Sequence, residues 1–120
     1  MSIKSPQSLV QEALKQVKTI SPEEALEKSK NNQCNLIDIR DALELQNEGA
    51  IENALHISRG LLEFSIHNGL ETDKEIILFC AAGGRSALAT KTLKEMGYKK
   101  VCHIQGGFSA LQNSKFKIKK

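Results

Sequence analysis

One stretch of the sequence carries residues that could do chemistry together: Ile76-Ile77-Leu78-Phe79-Cys80-Ala81-Ala82-Gly83-Gly84-Arg85-Ser86. An apolar run ends at a cysteine, crosses four small residues and enters a helical pattern that opens on an arginine. In open α/β sheets, sites lie at the carboxyl ends of strands. A cysteine placed there faces the first turn of the following helix, where backbone N–H groups lack partners and favour an anion. The same field favours thiolate over thiol, and a thiolate can take a group from one molecule and pass it to another. Gly83 and Gly84 let the backbone curl and turn its amides inward. Arg85 adds a planar, bidentate positive charge. The expected site is therefore Cys80 as nucleophile, with Ala81, Ala82, Gly83, Gly84, Arg85 and Ser86 holding a small anionic substrate. An inert strand-end cysteine beside a glycine turn is the plainer reading. The strand, the cysteine, the small residues and the arginine in this order outweigh it. The scheme requires a sulfur that solvent and substrate can reach.

The arginines point the same way. There are three against fourteen lysines, and Arg40, Arg59 and Arg85 each follow a predicted strand. In a parallel sheet all three fall on the rim that carries Cys80. Arg59 is expected to help hold an anionic substrate. Arg40 is expected in a structural ion pair with Glu44 or Glu48. The other candidates are weaker. Cys102 and His103 are adjacent on a predicted strand and so face opposite ways; Cys102 reads as core. Cys34 reads as an ordinary thiol near a loop. His56 and His67 have no partner in sequence. No histidine lies beside the Cys80 loop, which suits a thiolate that needs no general base.

The surrounding elements must position this loop. Leu9, Val10, Ala13, Leu14 and Val17 recur at helical spacing, so residues 1–20 read as an amphipathic helix packed on the domain, with a possible short strand at Val17–Ile20. Its polar face mixes signs, unlike a membrane-surface helix. Ser21-Pro22-Glu23-Glu24 starts a second helix. Leu36–Ile39, Ala54–Ile57, Glu75–Phe79 and Val101–Ile104 read as strands. Asp41 caps a short helix over 42–47, Gly49 stops it, and a further short helix runs through Leu61, Leu62 and Phe64. A longer helix spans about 85–96, and Gly106-Gly107 leads into a last one through Leu111. Asn31–Gln33 and His67–Gly69 read as turns. Strands alternating with helices predict an α/β domain of three layers, with a largely parallel sheet of about five strands.

Composition removes several function classes. Lysines and arginines number 17 and acids 14, a net charge of +3. Residues 115–120 carry four of those lysines, so the body is nearly neutral, against a dedicated nucleic-acid binder. With 4% aromatic residues and no Trp, a base-stacking platform is not expected. No apolar run approaches the roughly 18–20 residues that cross a bilayer. Cysteines at 34, 80 and 102 form no zinc-type spacing and no CxxC pair. No metal or cofactor is expected, and free thiols fit a reducing, cytoplasmic compartment.

With these residues in view, the chain resembles a single-domain rhodanese, a thiosulfate-type sulfurtransferase, over about residues 20–112. Cys80-Ala81-Ala82-Gly83-Gly84-Arg85-Ser86 is similar to that family's active-site loop. Leu36-Ile37-Asp38-Ile39-Arg40 resembles its strand ending in Asp-x-Arg, which makes Asp38 and Arg40 structural residues near the site. Ile104-Gln105-Gly106-Gly107-Phe108 resembles its closing Gly-Gly segment. The resemblance implies a persulfide on Cys80, loaded from thiosulfate or a related anionic donor. Its sulfur then goes to cyanide, a thiol or a protein acceptor. Residues 113–120 are left as a basic, frayed tail. Gly49-Ala50-Ile51-Glu52-Asn53-Ala54 departs from the family's Gly-His-Ile-Pro-Gly-Ala run, and Leu111 replaces its usual Trp. Ala81 stands where many relatives carry a charge. A cysteine-based phosphatase or arsenate reductase is the nearest chemical rival. Those loops hold one residue more between Cys and Arg than the four found here. A rhodanese-like sulfur carrier or regulatory module is the other alternative.

Overall fold

Strands that alternate their side chains between two helical layers decide which residues can meet in this molecule. The computed structural model describes residues 2–30, 33–67 and 73–120. Five strands form one sheet: β1 (Lys18–Ile20), β2 (Cys34–Asp38), β4 (Leu55–His56), β5 (Glu75–Phe79) and β6 (Val101–Ile104). Their order is β1-β6-β5-β2-β4, and every pairing is parallel. The predicted α/β class is thus the observed one. Leu36, Ile77, Phe79, Cys102 and Ile104 share one buried face with Ala25 of α2 (Pro22–Ser29) and with Phe108 and Leu111 of α6 (Gly107–Leu111). Ile37, Ile76, Leu78, Cys80 and Val101 share the other with Leu62 of α4 (Leu62–Ser65) and with Ala89 and Leu93 of α5 (Gly84–Glu95).

Helix starts follow local chemistry. The Ser5 and Ser21 hydroxyls accept the amides of Ser8 and Glu24, each at 3.1 Å, and proline occupies the first turn of α1 (Pro6–Leu14) and of α2. At α3 (Ala42–Glu48), the Glu44 carboxylate reaches back to the Asp41 amide at 3.0 Å. This fixes Glu44 on the rim that faces the cysteine loop.

At the ends of the chain one expectation holds and one needs correction. The first helix stops at Leu14, and the short strand expected at Val17–Ile20 is present as Lys18–Ile20, at the sheet edge beside β6. The basic tail is not frayed, because β7 (Ile118–Lys119) pairs antiparallel with β3 (Ala50–Ile51). Phe116 and Ile118 alternate with lysines at period two, so both apolar side chains turn onto the core while Lys115, Lys117 and Lys119 face solvent. The predicted turns at 31–33 and 67–69 fall largely outside the described residues.

Candidate active site

Cys80 follows β5 directly, and the loop after it is held from two sides. The Phe108 amide donates to the Cys80 carbonyl at 2.7 Å, and the Ser109 amide to the Ala81 carbonyl at 3.1 Å. The start of α6 therefore grips the loop backbone. Gly107 makes that approach possible: its φ is +55°, and a Cβ there would collide with the Cys80 carbonyl oxygen and stand 2.9 Å from the Ala81 backbone. Gly83, at φ +113°, turns the chain into α5.

That turn aims amides at the sulfur. The Gly83 N–H donates to Cys80 Sγ at 3.1 Å and the Ser86 N–H at 3.4 Å. The predicted convergence of amides is present. The predicted accessibility is not: Cys80 is 1% exposed. Its side chain packs with Ile37, Leu78 and Ala89, while α6 holds its carbonyl. Ala82 is exposed, and Ala81, Gly83, Gly84 and Arg85 are partly so. The thiol is thus the floor beneath a layer of small residues, and a donor must part that layer to reach it.

The arginines are distributed differently from expectation. Arg85 does not lend the cradle a free charge. Its guanidinium makes a fork-to-fork pair with Glu44, at 2.8 and 2.9 Å. Those bonds hold the Glu44 carboxyl at about 2 and push the Arg85 guanidinium further up. Arg40 is structural, but its principal partner is Asp38, at 2.8–3.1 Å, with Glu48 only at 3.8 Å and Glu44 taken by Arg85. Arg40 is fully buried, donates to the Gly49 carbonyl at 2.9 Å and lies 3.8 Å over the Phe108 ring. It thereby joins the end of β2 to the helix that grips the loop. Arg59 is turned to Glu63 at 2.7 Å, one helical turn away. His56 has a partner after all, donating from Nε2 to the Arg40 carbonyl at 2.7 Å.

A histidine does approach the cysteine loop, against expectation, through a serine. Ser86 Oγ lies 3.6 Å from Cys80 Sγ and 2.9 Å from His103 Nδ1. His103 Nε2 lies 2.9 Å from Thr19 Oγ1. The register of β6 against β1 sets Thr19 beside His103. Burial pushes the His103 imidazole below its usual range, so it is neutral near pH 7. The sequence held one signal of this: His103 is the polar residue in an otherwise apolar strand. Cys102, its neighbour, faces the opposite layer and donates to Glu75 Oε2 at 3.5 Å.

The chain belongs to the rhodanese-like domain family, whose model matches residues 21–114. Among its relatives is the Bacillus subtilis protein named "Putative sulfurtransferase YtwF", 34% identical over 97 residues, which are 81% of this chain and 89% of that one. The tRNA uridine(34) hydroxylase of Chlamydia pneumoniae is 33% identical over 103 residues. The match covers 80% of this chain but only 32% of that protein, so the chain spans about a third of its length. Among solved structures, a protein of unknown function from Rhodopseudomonas palustris, described as a possible tyrosine phosphatase, superimposes with TM-score 0.86 and 34% identity over 99% of this chain and 98% of its own. The polysulfide-sulfur transferase homodimer of Wolinella succinogenes superimposes with TM-score 0.80 and 32% identity over 94% of this chain and 85% of its own. Among the described residues, no helix is long and apolar enough to cross a membrane.

Proposed function

We propose that this protein is a sulfurtransferase that carries sulfane sulfur on Cys80. The observation that supports this most is the pair of amides, Gly83 and Ser86, aimed at a sulfur at the end of a central strand. Such donors stabilise negative charge on a thiolate and on the outer atom of a persulfide. In the first step the Cys80 thiolate attacks the outer sulfur of thiosulfate. The S–S bond of the donor breaks, and sulfite leaves with the electron pair. In the second, an acceptor such as cyanide or a thiolate takes the terminal sulfur and the Cys80 thiolate is restored. Covalent storage of this kind gives ping-pong kinetics. Residues 81–86 form the cradle. Arg85 and Arg59 meet a donor with their charge already offset by Glu44 and Glu63. Both carboxylates favour a donor met mainly by backbone amides.

Intact mass spectrometry after thiosulfate treatment tests the assignment. The native chain should gain one sulfur atom and Cys80→Ser none. A gain at Cys34 or Cys102 instead overturns it. Loading without turnover by cyanide would favour a carrier that serves a protein acceptor. The Rhodopseudomonas likeness supports a phosphatase as second reading. Hydrolysis of an aryl phosphate faster than sulfur transfer would put that reading first.

A further inference from the structure

Cys80, Ser86 and His103 are buried, at 1%, 0% and 2% exposure, whereas Thr19, the last member of the chain of contacts, is exposed. A continuous file of exchangeable groups thus runs from a sealed sulfur to solvent at the sheet edge: Sγ, Ser86 Oγ, His103 Nδ1 and Nε2, Thr19 Oγ1. Sulfur exchange between anions, thiosulfate to cyanide, moves no proton and needs no such file. We propose that this file is a proton outlet for Cys80, and that the acceptor it serves arrives with a proton, as a thiol does. The inference rests on the sulfurtransferase reading and narrows its acceptor.

The chemistry balances without an added reagent. A thiol attacks the outer sulfur of the Cys80 persulfide and a new S–S bond forms on the acceptor. The old S–S bond breaks with its electron pair to Sγ, and the thiol's proton goes to Sγ. The products are an acceptor persulfide anion and a protonated Cys80. Cys80 must lose that proton before it can be loaded again. Its proton passes to Ser86 Oγ, the hydroxyl's own proton to His103 Nδ1, and the Nε2 proton through Thr19 to water. Both neutral tautomers of His103 fit the distances, and the transfer exchanges one for the other; the first returns in the loading step, when a proton enters through Thr19 to Nε2 and the Nδ1 proton passes by way of Ser86 to the departing sulfite, which leaves as hydrogen sulfite. In the first, Ser86 accepts from the thiol and donates to Nδ1. In the second, Nδ1–H donates to Ser86, whose hydroxyl is then free to donate to the thiolate. The Gly83 carbonyl, at 3.2 Å, is an alternative acceptor for the hydroxyl, but His103 is nearer at 2.9 Å. Ser86 touches the reacting sulfur, whereas His103 acts through it as a positioning residue.

His103→Asn keeps a polar atom where Nδ1 stands but cannot pass a proton onward. Steady-state turnover from thiosulfate is compared, at a pH between the two acceptors' pKa values, with cyanide, largely anionic there, and ethanethiol, which keeps its proton. The thiol-to-cyanide ratio of kcat should fall about 100-fold or more in His103→Asn, the low end for a lost proton-transfer group. Thr19→Val, on the exposed edge, should lower it by roughly threefold at unchanged thermal stability, a smaller share of the same contribution. A merely structural histidine would lower both activities together. An unchanged ratio in His103→Asn overturns the outlet; should that variant not fold, an unchanged ratio in Thr19→Val does so. A native chain that gains no sulfur from thiosulfate brings down the sulfurtransferase reading, and this proposal with it. Sulfur gain with unaltered ratios brings down the outlet alone.

Discussion

Cys80 and Cys102 sit on opposite faces of one sheet, both in the core, and their sulfurs meet opposite electrostatics. Cys80 accepts from two amides. Cys102 faces the Glu75 carboxylate, which is itself paired with Lys28 at 2.7 Å. Burial first, and Glu75 second, push the Cys102 thiol up to about 12, so it stays protonated and inert. Depth therefore does not separate the proposed sulfur carrier from a filling thiol. The neighbours of the sulfur do, and in Cys80 they are set by a glycine turn and a helix start.

The largest test of the contrast is to delete each sulfur. Cys80→Ser should lower sulfur transfer on the order of 10³-fold or more, as loss of a nucleophile does. Cys102→Ser should still load sulfur, read by intact mass. Next in size, Gly107→Ala should break the grip of α6 on the cysteine loop. The forced contact and the positive φ together should cost roughly 3 kcal/mol in a denaturant titration. Replacing the carboxylate blurs the contrast from the other side. Native-state alkylation of Cys102 in Glu75→Gln should rise about tenfold over the native chain, since only burial then restrains it, and peptide mapping would read it. Glu44→Gln frees Arg85, and KM for thiosulfate should fall by about threefold, in keeping with the modest worth of a part-exposed pair. The smallest effect concerns His103. Its folded pKa lies below the ordinary imidazole value of 6.5, so the unfolded chain binds more protons below that pH. Its contribution to stability is complete above 6.5 and declines as pH falls toward the folded value. Melting curves across that window should show the decline in the native chain and not in His103→Asn.

Much of this architecture was legible in the sequence because the signals are local. Ile76–Phe79 is an unbroken apolar run, Ser21-Pro22 marks a helix start, and Gly106-Gly107 leads into the last short helix. The loop from Cys80 to Ser86 is contiguous, so its amides could be placed without coordinates. What escaped depends on separation along the chain. Glu44 and Arg85 are 41 residues apart, and Glu44 had a nearer suitor in Arg40 by helical spacing. Thr19 and His103 are 84 residues apart and meet only because β1 lies beside β6. The tail looked solvated because lysines dominate it, yet two apolar residues at period two suffice to dock it on the core. The burial of Cys80 escaped for another reason: it depends on Ile37 of β2 and on Ala89 and Leu93 of α5 packing around the sulfur, and no pattern in residues 76–86 announces that packing.

The hold of α6 on the Cys80 and Ala81 carbonyls has a consequence for biosynthesis. Residues 107–109, which hold the carbonyls of the cysteine loop, leave the ribosome after it. A nascent chain that has emerged only through α5 carries that loop without its second anchor, and edge strand β1 still waits for β6. The backbone after Cys80 is therefore fixed late, when the last short helix docks.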